Sequence, residues 1–254
     1  MDVLVLAGGG ISKIDPLYPL AGDLPKSMIP IAAKPMTQWV LDALSGSKLT
    51  GAVAVIGLDE SFGLCCSKEL KFLPDAGSLL QNIKQGAGYF SQTNPADTHL
   101  LTISADIPAV TAAIIDECIR VFDKREFDVY YSVVEKTTME KRFPDSRRTY
   151  AKLKDGPVCG GDINCVKKQA ALDPDSAWSD LIRNRKNPLK QASMIGWGTL
   201  LLLMTGRLKL DEAASRVCRK LGIQGKAVKM PFAEIGMDVD KPFQHSIVER
   251  DLLR

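Results

Sequence analysis

Short, nearly uninterrupted apolar runs recur through the first half of the chain: Val3 to Ala7 (VLVLA), Ala52 to Ile56 (AVAVI) and Leu100 to Ala105 (LLTISA). A strand buried on both faces has no polar side to alternate with. Such runs therefore point to a parallel sheet covered by helices on both sides. Between the runs the period changes. Met36, Trp39, Val40, Ala43 and Leu44 recur at helical spacing, Ser78 to Phe90 is expected to be helical, and Thr111 is placed to cap a helix running to about Lys124. Asp128 to Val134 (DVYYSVV) is the next strand candidate. Strand and helix in turn imply a layered α/β fold, its sheet mostly parallel, with right-handed crossovers.

The pattern shifts after Glu135. Thr149 to Leu153 and Val158 to Val166 are expected as short strands around an Asp155-Gly156 turn. Ser176 to Leu221 is expected to be mostly helical, with breaks near Pro188 and Gly206. Ala227 to Met230 is expected as a last strand, and Pro242 suits the first turn of a closing helix. With no internal repeat or low-complexity linker, residues 1–254 are expected to form one α/β domain with a helical insertion at about 176–221.

Charge and cysteine usage exclude several classes. The 33 basic and 30 acidic residues leave a net charge of +3, too balanced to make nucleic acid or a membrane the main partner. Leu200 to Met204, an apolar run as long as any in the chain, is far too short to cross a bilayer. The six cysteines form no Cys-x-x-Cys pair, and only His99 and His245 are available to complete a zinc site, which argues against structural zinc. No apolar leader precedes the first strand, so a reduced cytoplasmic protein is expected.

The first strand runs into Gly8, Gly9 and Gly10. A glycine turn after a strand lets backbone N–H groups approach an anion without Cβ interference. The spacing is neither Gly-x-Gly-x-x-Gly, because Lys13 stands where the last glycine belongs, nor the Walker pattern. Lys13 and Lys26 add two cations that suit a polyphosphate, and Pro25 stiffens the approach of Lys26. A plain strand-to-helix turn with solvated lysines is the alternative.

The segment LAGGGISKIDPL…PKSMIPIAAKPM resembles the signature of nucleotidyltransferases with the glycosyltransferase-A type fold, the sugar-1-phosphate nucleotidylyltransferases and the molybdenum-cofactor guanylyltransferase-like proteins. Leu6, Ala7, Gly8, Gly9, Pro25, Lys26, Lys34 and Pro35 match; Ile11 replaces a usual glycine and Lys13 a usual arginine. Lysine keeps the charge but loses the planar fork that grips phosphate bidentately. Later segments extend the resemblance. SADIP places Asp106 where the family holds magnesium, and EIGMDVDKPFQ resembles the closing motif, in which Asp238 or Asp240 completes the metal site. GSLLQNIKQG resembles the helix beside the nucleobase, where Gln81 or Asn82 faces the base or merely solvent. CGGDIN resembles the stretch near the acceptor, with Gly161 and Asn164 as contacts or as a β-bulge.

The resemblance implies an enzyme that moves a nucleoside monophosphate group from a nucleoside triphosphate to a phosphorylated small-molecule acceptor, a sugar phosphate or similar, and releases pyrophosphate. It implies Mg²⁺ on Asp106 with Asp238 or Asp240. It also implies a phosphate cradle of Leu6, Ala7 and Gly8 to Gly10, with Lys13 on the outer phosphates and Lys26 near the α-phosphate. Two basic groups remain: Arg147, Arg148, Lys152 and Lys154, and Arg183, Arg185, Lys186 and Lys190. Each is either a solvated face or a clamp for a phosphorylated acceptor, with Arg148 the chosen contact. The apolar stretch MIGWGTLLLLMTGRLKL, with basic flanks, suits core or homodimer packing, with contact to a membrane surface as the weaker alternative. A glycosyltransferase of the same fold, a non-catalytic nucleotide-binding module and an interaction protein stay open as other readings.

Overall fold

The computed structural model describes residues 1–174, 202 and 205–254. Four parallel strands form one half of an eight-stranded sheet: β1 (Asp2–Leu6), β4 (Val53–Ile56), β5 (Leu70–Leu73) and β6 (His99–Ser104). The other half holds β7 (Val129–Glu135), β8 (Val158–Gly160), β9 (Ile163–Lys167) and β10 (Gly225–Lys229). The order is β10-β7-β9-β6-β1-β4-β5, with β8 paired to β7. Only β8 and β9 run against the rest. A small antiparallel ribbon, β2 (Pro30–Ile31) and β3 (Lys34–Pro35), stands apart. This is the mostly parallel α/β sheet expected.

The apolar runs are buried on both faces. Val3, Val5, Val53, Val55, Leu101 and Ile103 pack with the helices α2 (Met36–Gly46) and α4 (Ala112–Phe122) in the main core. Leu4, Ala54, Ile56 and Leu100 pack with Ile83, Ala87 and Phe90 of α3 (Leu79–Thr93) on the opposite face. Thr111 caps α4 and Ser78 caps α3, each accepting from a backbone N–H in the first turn. Pro242 opens the last helix, here α8 (Pro242–Leu252).

Several expectations need correction. Thr149 to Leu153 is not a strand; only Ala151 bridges to Val158. Val158 to Val166 is broken into β8 and β9, because Gly161 and Asp162 leave the ladder between them. The last strand starts earlier than Ala227, since β10 takes in Gly225 and Lys226. The expected insertion lies largely outside the described residues, as do Arg183, Arg185, Lys186 and Lys190. Its end is the amphipathic helix α7 (Leu210–Leu221). The strand β5 and the short helices α1 (Tyr18–Ala21), α5 (Lys136–Arg142) and α6 (Lys168–Leu172) were not foreseen. Among the described residues no helix is long and apolar enough to cross a membrane.

Candidate active site

Register places the site. Leu6 is the Cα partner of both Ile56 and Ser104, so β1, β4 and β6 end in one row. Their next residues, Ala7 to Gly10, Gly57, and Ala105 with Asp106, leave the sheet together at its C-terminal edge. Ligands gather at such an edge in open α/β sheets.

The glycine loop is shaped by close packing as well as by an open side. Gly9 has φ +106°, which a side chain would strain, and nothing lies within 4 Å of where its Cβ would be. Gly8 passes beside Asp75 and Asn82; a Cβ there would stand 2.8 Å from the Asn82 amide nitrogen. Gly57 is as necessary. Its φ is +99°, and a Cβ would lie 2.3 Å from the Gly8 Cα. Ile11, the departure from the family pattern, is partly buried against the main core and anchors the loop by its side chain. Lys13 is exposed and meets no carboxylate among the described residues.

Lys26 is held at the centre. Pro25 leads into the 3-10 turn Lys26–Met28. Ser27 fastens this turn by donating to the Ala7 carbonyl, 3.2 Å, while Thr37 donates to the Ser27 carbonyl, 2.8 Å. The Lys26 ammonium donates to Asp106 Oδ2 at 2.7 Å and also to Asp240 Oδ1. Burial works against its charge, but Asp106 and Asp240 together outweigh burial and hold its pKa above the ordinary lysine range. Ser104 donates to the other Asp106 oxygen at 2.6 Å. The Val239 N–H donates to the Asp106 carbonyl at 3.0 Å, which brings the closing motif to this strand end. Lys34, also part of the family-like motif, is elsewhere: it pairs with Asp42 and lies 4.0 Å over the Trp39 ring.

Asp238 and Asp240 hydrogen-bond to one another, as their spacing of two allows. Their surroundings differ. Asp238 is enclosed, its side chain 13% exposed, and paired with Arg148; the Asp240 side chain is 54% exposed. Burial, opposed by Arg148, and the hydrogen bond to Asp240 push the Asp238 carboxyl up to about 6. Asp240 goes down: burial is overcome by the hydrogen bond from Asp238 and by Lys26. Asp162, between β8 and β9, joins this group. Burial first, then the charges of Asp238 and Asp106, raise its carboxyl well above the usual range. A cavity of about 310 Å³ opens beside them, lined by Arg147, Arg148, Asp162, Asp238, Asp240 and Lys241 among others.

Three residues expected at ligand contacts have roles inside the protein. The Asn82 amide oxygen accepts from the Ala76 N–H at 2.7 Å and fixes the loop beside Gly8. Asn164 accepts from the Ser132 N–H at 2.8 Å and donates to the Gly161 carbonyl at 3.2 Å. At Gly161 a Cβ would stand 2.4 Å from Ser132 Oγ and 3.1 Å from Ile235, so its bareness lets the link between β8 and β9 pack against β7 and the turn at Ile235. Sequence reasoning missed Asp75, Asp162 and Gly57. Asp75 accepts from the Gly77 N–H at 2.9 Å; that bond, then the Asn82 amide, and also the Gly9 N–H hold its carboxyl low. A glycine directly after an apolar run was the available signal for Gly57.

The donor set suits Mg²⁺. Among the described residues no three His, Cys, Asp or Glu side chains converge to hold a metal. Mg²⁺ is commonly bound by one or two carboxylates, with substrate phosphates and water completing its shell. Asp106 and Asp240 already converge on one cation, the Lys26 ammonium.

The chain is similar to a hypothetical transferase from Thermus thermophilus, at 32% identity over 96% of this chain and 98% of that one, with a TM-score of 0.79. It shares its fold with CMP:2-keto-3-deoxy-manno-octonic acid synthetase solved with CTP, at 13% identity, 99% and 98% coverage and a TM-score of 0.56. It shares it also with 4-diphosphocytidyl-2C-methyl-D-erythritol synthase from Anaerococcus prevotii, at 10% identity, 100% and 98% coverage and a TM-score of 0.58. No curated protein sequence matches the chain. Residues 3–195, most of the chain, match a family of NTP transferases. Signature, sheet order and match agree: the chain belongs to the family of the MobA-like NTP transferase domain.

Proposed function

We propose that the protein is a Mg²⁺-dependent nucleotidyltransferase that joins a nucleoside monophosphate group to a phosphorylated small molecule. The observation that carries this reading is the Lys26 ammonium, clamped by Asp106 and Asp240 beside the bare Gly8 to Gly10 loop. An acceptor phosphate oxygen bonds to the α-phosphorus of the triphosphate as the bond from that phosphorus to the β-phosphate oxygen breaks in line. Pyrophosphate leaves with that bonding pair. Such transfer requires positioning and charge stabilisation rather than a side-chain nucleophile.

The residues divide this work. Leu6 and Ala7 lead into the cradle, and the Gly8 to Gly10 backbone takes the phosphates. Lys13, exposed and meeting no carboxylate among the described residues, is available to the outer phosphates. Lys26 stabilises charge at the α-phosphoryl group; its two carboxylates fix where that charge sits. Asp106 and the open Asp240 would hold Mg²⁺, which would neutralise phosphate charge, while Asp238 is committed to Arg148. Asn82 keeps the base-side loop in place. Arg148, Gly161 and Asn164 bound the acceptor side, where Arg147 and Lys241 add positive charge.

Pyrophosphate release tests this directly. Wild-type protein is mixed with each common triphosphate, Mg²⁺ and a panel of phosphorylated acceptors. Release that needs triphosphate, metal and acceptor together is the expected result. Release from no combination, or release that persists unchanged in Asp106→Asn, contradicts it.

A further inference from the structure

A second cavity, about 530 Å³, lies on the sheet face between α3 and α7. Its size is that of an ordinary small-molecule site. It is walled by aliphatic side chains, including Val133, Val158 and Val166 of the sheet, Leu79 of α3, and Ala214 and Val217 of α7. Leu79 is 59% exposed and Tyr131 48% exposed, so two large side chains of this wall stand open. Of the polar groups in the wall, Asn164 and Thr102 are bonded within the protein and the Lys226 ammonium lies 5.6 Å over the Phe127 ring. Both ends of the Asn164 amide are bonded to backbone, and Thr102 donates to the Asn164 carbonyl at 3.3 Å. A sugar ring buried there would lose water around its hydroxyls and find few partners, which is costly. An apolar body suits the wall.

This cavity adjoins the polar one, with shared wall residues between them. Tyr131, Cys159 and Gly160 line both. At the junction the Tyr131 hydroxyl lies against Gly160, where a Cβ would stand 2.4 Å away. A molecule bridging the two would set one end beside Arg147 and Lys241, where Arg148 is paired with Asp238 and the wall also holds Asp162 and Asp240, and the other over the aliphatic sheet face. Arginine and lysine suit a phosphate head.

Resting on the nucleotidyl-transfer reading, we propose that the acceptor is a phosphorylated amphiphile: a phosphate head carrying an apolar tail that lies in the cavity between α3 and α7. The tail supplies most of the binding, and the head is presented to the triphosphate.

Calorimetry with methyl, butyl and octyl phosphate, all below micelle-forming concentrations, tests this. Burial of one methylene tightens binding by up to about fourfold. Octyl phosphate should therefore bind at least tenfold more tightly than butyl phosphate, and octanol, without the head, more weakly than octyl phosphate. Ala214→Trp, which fills the cavity from α7, should flatten the dependence on chain length without changing triphosphate affinity. Val217→Glu, which sets a charge in the same wall, should do so as well. Affinity independent of tail length in the wild type, or a dependence that survives in both variants, overturns the proposal. Pyrophosphate release with short acceptors in the same samples reports separately on nucleotidyl transfer. Flat affinities alongside release refute the amphiphile alone, whereas tail-dependent binding without any release supports the cavity and refutes transfer.

Discussion

Burial works against the charge of Lys26, and the two carboxylates that share its ammonium outweigh that effect. Removing it should therefore do two things: take away the charge at the α-phosphoryl position and leave Asp106 and Asp240 facing one another. Lys26→Ala is expected to lower turnover by on the order of 10²–10³, the scale of losing one preorganised stabilising group. Steady-state pyrophosphate release checks this, and activity within twofold of wild type removes Lys26 from the mechanism. Lys13 is a milder case. As an exposed point charge it should add affinity rather than rate, so Lys13→Ala is expected to weaken triphosphate binding several-fold, and unchanged affinity would retire it. Asp162 makes a stability prediction. Its pKa is raised by burial and by like charges, so the folded state holds its proton more tightly than the unfolded chain. The sign follows: folding is favoured most below the unfolded value, and stability is lost as pH rises through the folded one. Asp162→Asn should thus raise the melting temperature at pH 8 and change it little at pH 4. Equal effects at both pH values would contradict this origin.

At the scale of elements, turns and their glycines set the site. β1 and β4 approach so closely beyond their ends that Gly57 touches the Gly8 backbone. Gly57→Ala is expected to destabilise by more than about 1 kcal/mol, because it adds both a positive-φ penalty and a clash with backbone; urea unfolding measures it. The β2–β3 ribbon turns through Ala32 and Ala33, both at positive φ, where glycine and asparagine are preferred. Ala33→Gly is expected to raise stability by up to about 1 kcal/mol, the relief of the positive φ less the added freedom of the unfolded chain; the same urea unfolding measures it, and a loss of stability would contradict it. These details were hard to foresee. Buried runs such as Val3 to Ala7 announced parallel strands, and Ser78 and Thr111 announced helix starts, because period and capping are local signals. β5 escaped because LKFL is half exposed and carries no such run. Gly161 was visible as glycine, but what needs it bare, Ser132 of β7 and Ile235 packed against it, is tertiary. At the site, Lys26 and Asp106 were legible through a motif. Asp162 was not, since a carboxylate in CGGDIN gives no local sign that it will be buried against Asp238. The choice between Asp238 and Asp240 likewise needed Arg148, ninety residues away in sequence, to be seen beside one of them.

At the scale of the molecule, the sheet divides the labour. Its parallel half, β5-β4-β1-β6, ends in the glycine loop and Asp106; its mixed half, β9-β7-β10 with β8, carries Asp162 and the wall of the apolar cavity. Lys26 and Asp240 join the two at the edge. On the proposed reading, triphosphate and acceptor would lie on neighbouring halves with one fixed cation between them. The central claim, that this cation marks a metal–triphosphate site, requires no knowledge of the acceptor. Calorimetric titration of the four common triphosphates, each with and without Mg²⁺, into wild-type, Lys26→Ala and Asp106→Asn protein tests it most directly. The expected result is Mg²⁺-dependent binding with preference for one base, weakened at least tenfold by Lys26→Ala and stripped of its metal dependence by Asp106→Asn. Binding of equal strength in all three proteins, or no binding of any triphosphate to the wild type, would contradict it.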